Sequence, residues 1–283
     1  MKLIALGDNV IDAYRNTGEH FPGGNAVNVA VHAARLGAQA EYLGAFGDDE
    51  MAGILRRALA ENGVDCHACP VLPGRTTKVC WYDVVDGERT YLGITTGESW
   101  VGALQIGTAE QAELKTANLI VSSCNAKMPE QMAAVQALPA VFAYDFGEKE
   151  KYRTAAYYDE VCHGIDLAML SCEPMDQAAF AALCAPLHRH GVVHVLGTMG
   201  AAGQLLSVEG EILQKATQIV QASDTMGAGD AFLAAFLCDL YGAGWQKGRA
   251  MPAPALLHAL EAGQRVSARN CMEQGGFGVR APL

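Results

Sequence analysis

The second half of the chain alternates short apolar segments with stretches whose apolar residues recur at helical spacing. The strand-like segments are residues 118–122, 140–144, 166–171 and 192–197, and predicted helices include 129–138 and 174–190. Strands joined through helices are usually parallel neighbours in one sheet, because the chain must cross back before it forms the next strand. The alternation therefore predicts an α/β fold, with a mostly parallel central sheet covered by helices on both faces.

Two aspartates, Asp8 and Asp12, follow the first predicted strand at residues 2–7. Open α/β sheets bind their ligands at the carboxyl ends of strands, so both carboxylates are candidates for substrate contact. Solvation of a loop or capping of a helix would explain either residue taken alone.

Two glycines, Gly23 and Gly24, lead into a predicted helix that is rich in small residues. Glycine lets a ligand approach the backbone closely, so this helix start is a candidate binding position. Asn25 and Asn28 could cap the helix or form hydrogen bonds with a polyol.

Residues 76–99 interrupt the alternation with two predicted strands around the turn Asp86-Gly87-Glu88, a pattern typical of a β-hairpin. A hairpin inserted between α/β units predicts a lid that excludes water from a site. The same strands could instead form a homodimer contact or plain sheet edges. No repeat or low-complexity linker occurs, so we expect one domain over residues 1–283 with a β lid inserted at about 10–21 and 75–101.

Residues 222–240 join a polar turn to an apolar run with helical spacing. Gly227, Ala228 and Gly229 come just before Asp230, where the predicted helix begins. Such a turn leaves first-turn N–H groups free to face an anion. A carboxylate beside it could act as the base in phosphoryl transfer to an alcohol. Asp230 could also be an ordinary acidic residue that favours the helix dipole.

The chain has 20 lysines and arginines against 31 aspartates and glutamates, a net charge of -11 at pH 7. This balance argues against nucleic acid or an anionic membrane as a partner, and the apolar runs are too short to span a bilayer. The chain begins with a predicted strand rather than a secretory signal. Nine scattered cysteines favour a reducing compartment. We therefore expect a cytoplasmic protein in which local N–H groups would have to meet any phosphate.

Two motifs make the chain resemble the ribokinase-like (PfkB) carbohydrate kinases along nearly its whole length. The first is Gly-Gly-Asn-Ala-Val-Asn-Val-Ala at residues 23–30, and the second is Asp-Thr-Met-Gly-Ala-Gly-Asp-Ala-Phe at residues 224–232. The resemblance implies a three-layer ribokinase-like fold. It also implies ATP-dependent phosphorylation of a sugar hydroxyl, with Mg²⁺ held mainly by ATP phosphates and water.

The resemblance also implies roles for single residues. Asp230 matches the family's catalytic base, and its anion hole is matched by Gly227, Ala228 and Gly229. The nucleotide-binding turn is matched by Thr198, Gly200 and Gly203. Positions that hold sugar hydroxyls are matched by Asp12, Gly24 and Asn28. A monovalent-cation site that some members form through main-chain groups, for an ion such as K⁺, falls at Asp224 and Thr225.

One family feature is not preserved. Many members carry an Asn-x-x-Glu motif after a central strand, which is linked to magnesium and phosphate handling. This chain has Cys-Glu-Pro-Met-Asp at residues 172–176 instead. Glu173 or Asp176 could take over that role.

The substrate is suggested by smaller likenesses around Asp8, Asp12, Tyr14 and Asp145, which look most like bacterial fructoselysine-type kinases. Those enzymes phosphorylate the 6-hydroxyl of an amino acid–sugar conjugate, and an acidic pocket from Asp8 and Asp12 would suit its ammonium group. Fructokinase, ribokinase and nucleoside kinase activities stay open. A non-catalytic sugar- or nucleotide-binding regulator is the alternative of a different class, although a regulator would not need a base at Asp230. The dinucleotide fingerprint of Rossmann-type redox enzymes is absent.

Overall fold

The computed structural model describes residues 1–85, 88–97, 99–217 and 219–281, with only the backbone of Glu88. The predicted turn residues Asp86 and Gly87 lie outside this part of the chain. The strands are β1 Lys2–Leu6, β2 Val10–Tyr14, β3 Glu19–Gly23, β4 Gln39–Leu43, β5 Val79–Val85, β6 Glu88–Thr95, β7 Leu119–Ser123, β8 Val141–Asp145, β9 Leu167–Ser171, β10 His194–Thr198, β11 Gln204–Val208 and β12 Glu211–Lys215. The α-helices are α1 Asn25–Arg35, α2 Glu50–Glu61, α3 Thr108–Leu114, α4 Ala133–Gln136, α5 Ala155–Val161, α6 Gln177–Arg189, α7 Ala228–Gly242 and α8 Ala253–Asn270.

The central sheet has eight strands in the order β12-β11-β10-β9-β8-β7-β1-β4. The six strands from β10 to β4 pair in parallel, and β11 and β12 are added antiparallel at one edge. Strands β7 and β8 are buried along their whole length, as expected for parallel strands covered on both faces. Helices lie on both sides of the sheet, so the predicted fold class is confirmed.

The two segments predicted to form a β lid build a second sheet of four strands in the order β3-β2-β5-β6, which keeps the name lid below. Strands β5 and β6 pair antiparallel, as the predicted hairpin requires, and β2 joins them in parallel. Asp12 belongs to β2 and pairs with Phe21 of β3, within the segment 10–21 that was expected to contribute to the lid.

The prediction of one continuous helix at 129–138 is wrong in part. The structure has a 3-10 turn at Pro129–Gln131 and a single α-turn, α4, in its place. The side chain of Gln131 accepts a hydrogen bond from the backbone N–H of Ile106 at 2.6 Å and donates to the carbonyl of Leu104 at 2.8 Å. These long-range contacts tie the segment to the preceding loop, which helical spacing alone does not reveal.

Among the helices in the described part of the chain, none combines the length and the apolarity needed to cross a bilayer.

Candidate active site

A cavity of about 520 Å³ lies between the central sheet, the β lid and the first turn of α7. Nine of the predicted site residues line it: Asp8, Asp12, Gly24, Asn28, Thr225, Gly227, Ala228, Gly229 and Asp230. Four do not line it: Thr198, Gly200, Gly203 and Asp224. The fold thus brings together residues from the two ends of the chain that share no local pattern.

Asp230 lies in the first turn of α7 and is held by two asparagines of α1. The amide of Asn25 donates to its Oδ1, and the amide of Asn28 donates to its Oδ2, both at 2.8 Å. Asn125, in the turn after β7, donates in turn to Oδ1 of Asn25 at 2.5 Å. The two asparagines, for which helix capping was the alternative, therefore orient the carboxylate across the cavity instead of capping α1.

The carboxylate of Asp230 is only 7% exposed, and this burial raises its pKa to about 7. The amide of Asn28 opposes the rise, because it stabilises the charged form, and the negative charge of Asp145 adds to it. A carboxyl group with a pKa near neutral can accept and release a proton at physiological pH, which is what a general base requires.

The loop before α7 leaves backbone donors free at the same place. Gly227 is the residue before the helix, with φ 69, and a Cβ there would lie 2.6 Å from the carbonyl oxygen of Gly276. Glycine is therefore required both for its left-handed conformation and for the close approach of the two segments. Among the described residues, the N–H groups of Gly227, Gly229 and Asp230 have no hydrogen-bond acceptor. Such free N–H groups at a helix start can bind an anion.

The expectation of an acidic pocket around Asp8 and Asp12 is wrong, because basic residues accompany both carboxylates. The Nζ of Lys78 lies 3.4 Å from Oδ2 of Asp8. Burial raises the pKa of Asp12 to about 7, and the guanidinium of Arg89 opposes that rise. Oδ1 of Asp8 is buried and has no partner among the described residues, so it can accept a hydrogen bond from a ligand hydroxyl.

A close approach explains the second glycine of the first motif. Gly24 has φ 110, and a Cβ there would lie 2.7 Å from the carbonyl oxygen of Asp8. The entry of α1 and the loop after β1 therefore pack backbone against backbone, which places Asp8 and Asn28 on the same wall of the cavity.

The predicted nucleotide turn follows β10 at the same edge of the sheet, next to the cavity. Thr198 ends β10 and pairs with Ser171 of β9, and Ser171 lines the cavity. Gly200 and Gly203 have φ 52 and 98, conformations that favour glycine in this turn. The turn is thus placed beside the cavity rather than in its wall.

The side chain of Asp224 and the carbonyl of Thr225 are surrounded by protein donors. Oδ2 of Asp224, a fully buried side chain, accepts hydrogen bonds from the Tyr14 hydroxyl and from the N–H of Gly275 at 2.8 Å. The guanidinium of Arg89 lies 3.8 Å from Oδ1 of Asp224 and 3.4 Å from the carbonyl oxygen of Thr225. N–H and O–H donors and the charge of Arg89 therefore engage these oxygens, and a monovalent cation bound through main-chain groups at this position stays a prediction.

Neither candidate substitute for the missing Asn-x-x-Glu motif lines the cavity. Asp176 caps α6, because its Oδ1 accepts a hydrogen bond from the N–H of Ala179 at 2.8 Å. Glu173 is exposed. Within the described residues, no group of three or more His, Cys, Asp or Glu side chains could hold a metal ion.

Sequence reasoning missed several residues that line the cavity: Lys78, Arg89, Asn125, Lys127, Lys149 and Lys151. Each is a single polar residue with no motif around it: Lys78 lies directly before β5, Arg89 lies on β6, and the others follow β7 or β8. The only usable signal was position, since Asn125 and Lys127 follow β7 and Lys149 and Lys151 follow β8, at the ligand-binding edge of the sheet.

The sequence of this chain matches known proteins over most of its length. The model of the pfkB family carbohydrate kinases matches residues 1–247. The chain is 28% identical over 284 residues to the fructosamine kinase FrlD of Bacillus subtilis. That alignment covers 100% of this chain and 95% of the relative. It is 30% identical over 253 residues to the fructoselysine 6-kinase of Shigella flexneri. That alignment covers 89% of this chain and 92% of the relative.

A solved structure, the fructokinase of Xylella fastidiosa with bound ATP, superposes with a TM-score of 0.81 at 20% identity, over 98% of this chain and 94% of that one. This likeness concerns the fold alone. Together with the family match and the cavity described above, it supports one conclusion. The chain belongs to the pfkB family of carbohydrate kinases and is an ATP-dependent sugar kinase.

Proposed function

We propose that this kinase phosphorylates the 6-hydroxyl of a fructosamine, an amino acid joined to fructose, such as fructoselysine. The chemical part of the proposal depends on one observation, the buried carboxylate of Asp230 beside free N–H groups at the start of α7. The substrate part is supported by two relatives that carry the names fructosamine kinase and fructoselysine 6-kinase and align over most of the chain.

Asp230 is the general base. Its ionised carboxylate takes the proton from the sugar hydroxyl, and the hydroxyl oxygen then forms a bond to phosphorus. When bound, ATP supplies the phosphoryl group, and the bond from that phosphorus to the ADP oxygen breaks. Asn25 and Asn28 hold the carboxylate in place during the step, which matters because positioning provides most of the rate acceleration in phosphoryl transfer.

The N–H groups of Gly227 and Gly229 stabilise the negative charge on the transferred group. They are fixed by the backbone at the start of α7, so they need little rearrangement when charge develops. In a chain of net charge -11 this local arrangement is needed, since the overall field repels phosphate.

The nucleotide extends from the anion hole toward the turn of Thr198, Gly200 and Gly203. Magnesium accompanies the phosphates and keeps most of its ligands as phosphate oxygens and water, as this ion commonly does. That assignment suits the described residues, among which no ready-made cluster of metal ligands occurs.

The sugar lies against Asp8, Asp12, Gly24 and Asn28. The unpartnered Oδ1 of Asp8 accepts a hydrogen bond from one hydroxyl. Asp12, with a pKa of about 7, can accept or donate a hydrogen bond at neutral pH.

A screen of ADP release with Mg²⁺ and ATP tests the proposal across fructosamines, hexoses, pentoses and nucleosides. We expect the highest kcat/KM for a fructosamine, and ADP release slowed by about 10²- to 10⁴-fold with Asp230→Asn under the same conditions. If plain fructose or ribose is the best substrate and fructosamines are inert, the substrate assignment is overturned while the kinase assignment stands. Sugar binding by calorimetry without ADP formation would instead favour a binding protein.

A further inference from the structure

Three lysines of the cavity wall form no ion pair with a described carboxylate, although five carboxylates line the same cavity. Lys127 follows β7, and Lys149 and Lys151 follow β8; all three line the cavity, and none forms an ion pair with a described residue. The other two basic residues of the cavity are compensated, because Lys78 lies near Asp8 and Arg89 lies near Asp224. One carboxylate, that of Glu148, lines the cavity on the same loop but not within ion-pair distance of these lysines.

The three lysines line the same cavity, and two of them lie beside aromatic rings. Partial burial of the stem of Lys127 lowers its pKa, the positive charges of Lys78 and Lys151 lower it further, and the negative charge of Asp8 opposes this. The Nζ of Lys127 lies 5.2 Å from the ring centroid of Trp100, and the Nζ of Lys149 lies 5.8 Å from that of Tyr91. Cation–π contacts of this kind offset only part of the repulsion between gathered cations. A ligand anion between the central sheet and the lid would offset the rest.

Two anions could be bound there, a phosphate group of ATP or an anionic group of the sugar substrate. The order of the strands in the sheet indicates which of these two anions lies nearer to the lysines. The nucleotide turn follows β10, and β9, β8, β7 and β1 lie successively farther from it. Lys127 follows β7, next to the strand that precedes Asp8 on the sugar side. Lys127 and Lys149 also contact Trp100 and Tyr91 of the lid segment 75–101, and the lid lines the cavity beside Asp12, whereas the nucleotide turn does not line it.

From this placement we infer that Lys127 and Lys149 bind the carboxylate of the amino acid part of the substrate, an inference that depends on the proposed fructosamine kinase function. The sugar hydroxyl then points inward to Asp230, and the amino acid points outward to the lysines. Tyr91 and Ile94 of the lid, which are 51% and 43% exposed, also line the cavity. These apolar surfaces suit the aliphatic side chain that joins the sugar to the carboxylate.

The test compares fructoselysine with its decarboxylated analogue, in which 1,5-diaminopentane replaces lysine. The analogue keeps the sugar, the linking amine and the chain length and lacks only the carboxylate. In the unaltered enzyme we expect the KM of the analogue to exceed that of fructoselysine by about 10- to 100-fold, the range for a lost charge-assisted hydrogen bond.

In Lys127→Ala, Lys149→Ala and the double variant, we expect this ratio of KM values to fall toward one, because fructoselysine loses affinity and the analogue has no carboxylate to lose. Lys149→Arg should keep most of the ratio. Lys115→Ala, a change of the same charge at an exposed position on another face, serves as the matched control.

The outcomes separate the two proposals. If no fructosamine turns over, the proposed function fails. If fructosamines turn over but the ratio is near one in the unaltered enzyme, this inference is overturned and the function stands. If Lys127→Ala and Lys149→Ala raise the KM of ATP and leave the ratio unchanged, the lysines bind the triphosphate instead, which also overturns it.

Discussion

The two ends of the cavity are built in opposite ways. At the inner end, both oxygens of Asp230 accept hydrogen bonds from asparagines of α1, and glycines let the backbone close around them. At the outer end, Lys127, Lys149 and Lys151 lack described ion-pair partners and are exposed. The inner end is pre-organised, whereas the outer end depends on its ligand for charge balance.

This difference teaches where catalysis and specificity lie in the molecule. Phosphoryl transfer needs groups fixed to within a fraction of an ångström, so its residues are buried and mutually hydrogen-bonded. Recognition of one substrate among many sugars needs charge complementary to a distinctive part of that substrate. Changes at the inner end should therefore alter kcat, and changes at the outer end should alter KM for one class of sugar.

The largest effect is expected for Asp230→Asn, which keeps the shape of the side chain and removes the base. We expect kcat to fall by about 10²- to 10⁴-fold, the usual contribution of general-base catalysis. The measurement is ADP release at saturating ATP and sugar, with sugar binding checked by calorimetry. Turnover close to that of the unaltered enzyme would contradict the assignment of catalysis to the inner end of the cavity.

The next effect concerns the backbone at the inner end. Gly227→Ala should lower kcat by roughly 10- to 100-fold, because its Cβ would push α7 away from Gly276 and displace the anion hole. Gly63→Ala is the matched control: Gly63 has φ 73, close to the value of Gly227, and no atoms within 4 Å of a Cβ.

Both glycine variants should lose stability from the left-handed conformation, about 1–2 kcal/mol in each. Only Gly227→Ala should lose activity beyond what its lower Tm explains. Equal activity in the two variants would show that the packing of Gly227 against Gly276 does not position the anion hole.

A smaller effect is expected in the pH dependence of Asn25→Ala. Asn25 donates to the ionised carboxylate of Asp230 and so lowers its pKa; without Asn25 the pKa rises above about 7. Because the base must be ionised, the rising limb of kcat/KM should move to higher pH, with a loss of roughly severalfold near pH 6 and less near pH 8.5.

Asn125→Ala should move the same limb in the same direction by less, since Asn125 acts on Asp230 only through Asn25. A limb that stays in place, or moves to lower pH, in Asn25→Ala would contradict the role of these asparagines as positioning residues.

The smallest effect is expected outside the cavity. Asp176→Ala removes the cap of α6 and should cost about 1 kcal/mol of unfolding free energy, with kcat and KM unchanged. Asp176→Asn should keep the cap and the stability. A tenfold loss of activity in both variants would show that this carboxylate takes the place of the Asn-x-x-Glu motif and that the catalytic region extends beyond the cavity.

The alternation of strands and helices and the two motifs were enough to predict the fold and most of the inner end. The glycines and Asp230 lie within one short segment, so their chemistry can be read from adjacent residues. Their partners cannot be read in this way, because Asn25 and Asp230 are 205 residues apart and meet only when α1 packs against α7.

Sequence patterns misjudged the charge around Asp8 and Asp12. The charge of Arg89, on strand β6, acts on Asp12, and Lys78, directly before β5, reaches Asp8. Counting the acidic residues near the start of the chain predicted an acidic pocket, because these basic residues come some 70 positions later.

The sequence by itself determined the α/β fold and the family, and it was enough to predict a base at Asp230, since each depends on periodicity or on neighbouring residues. Only the tertiary structure decided the relay from Asn125 to Asp230, the protein donors around Asp224 and the lysines of the outer end. Those features arise where loops after different strands meet at one edge of the sheet, and the distance between two side chains there is set by packing rather than by their separation in the chain.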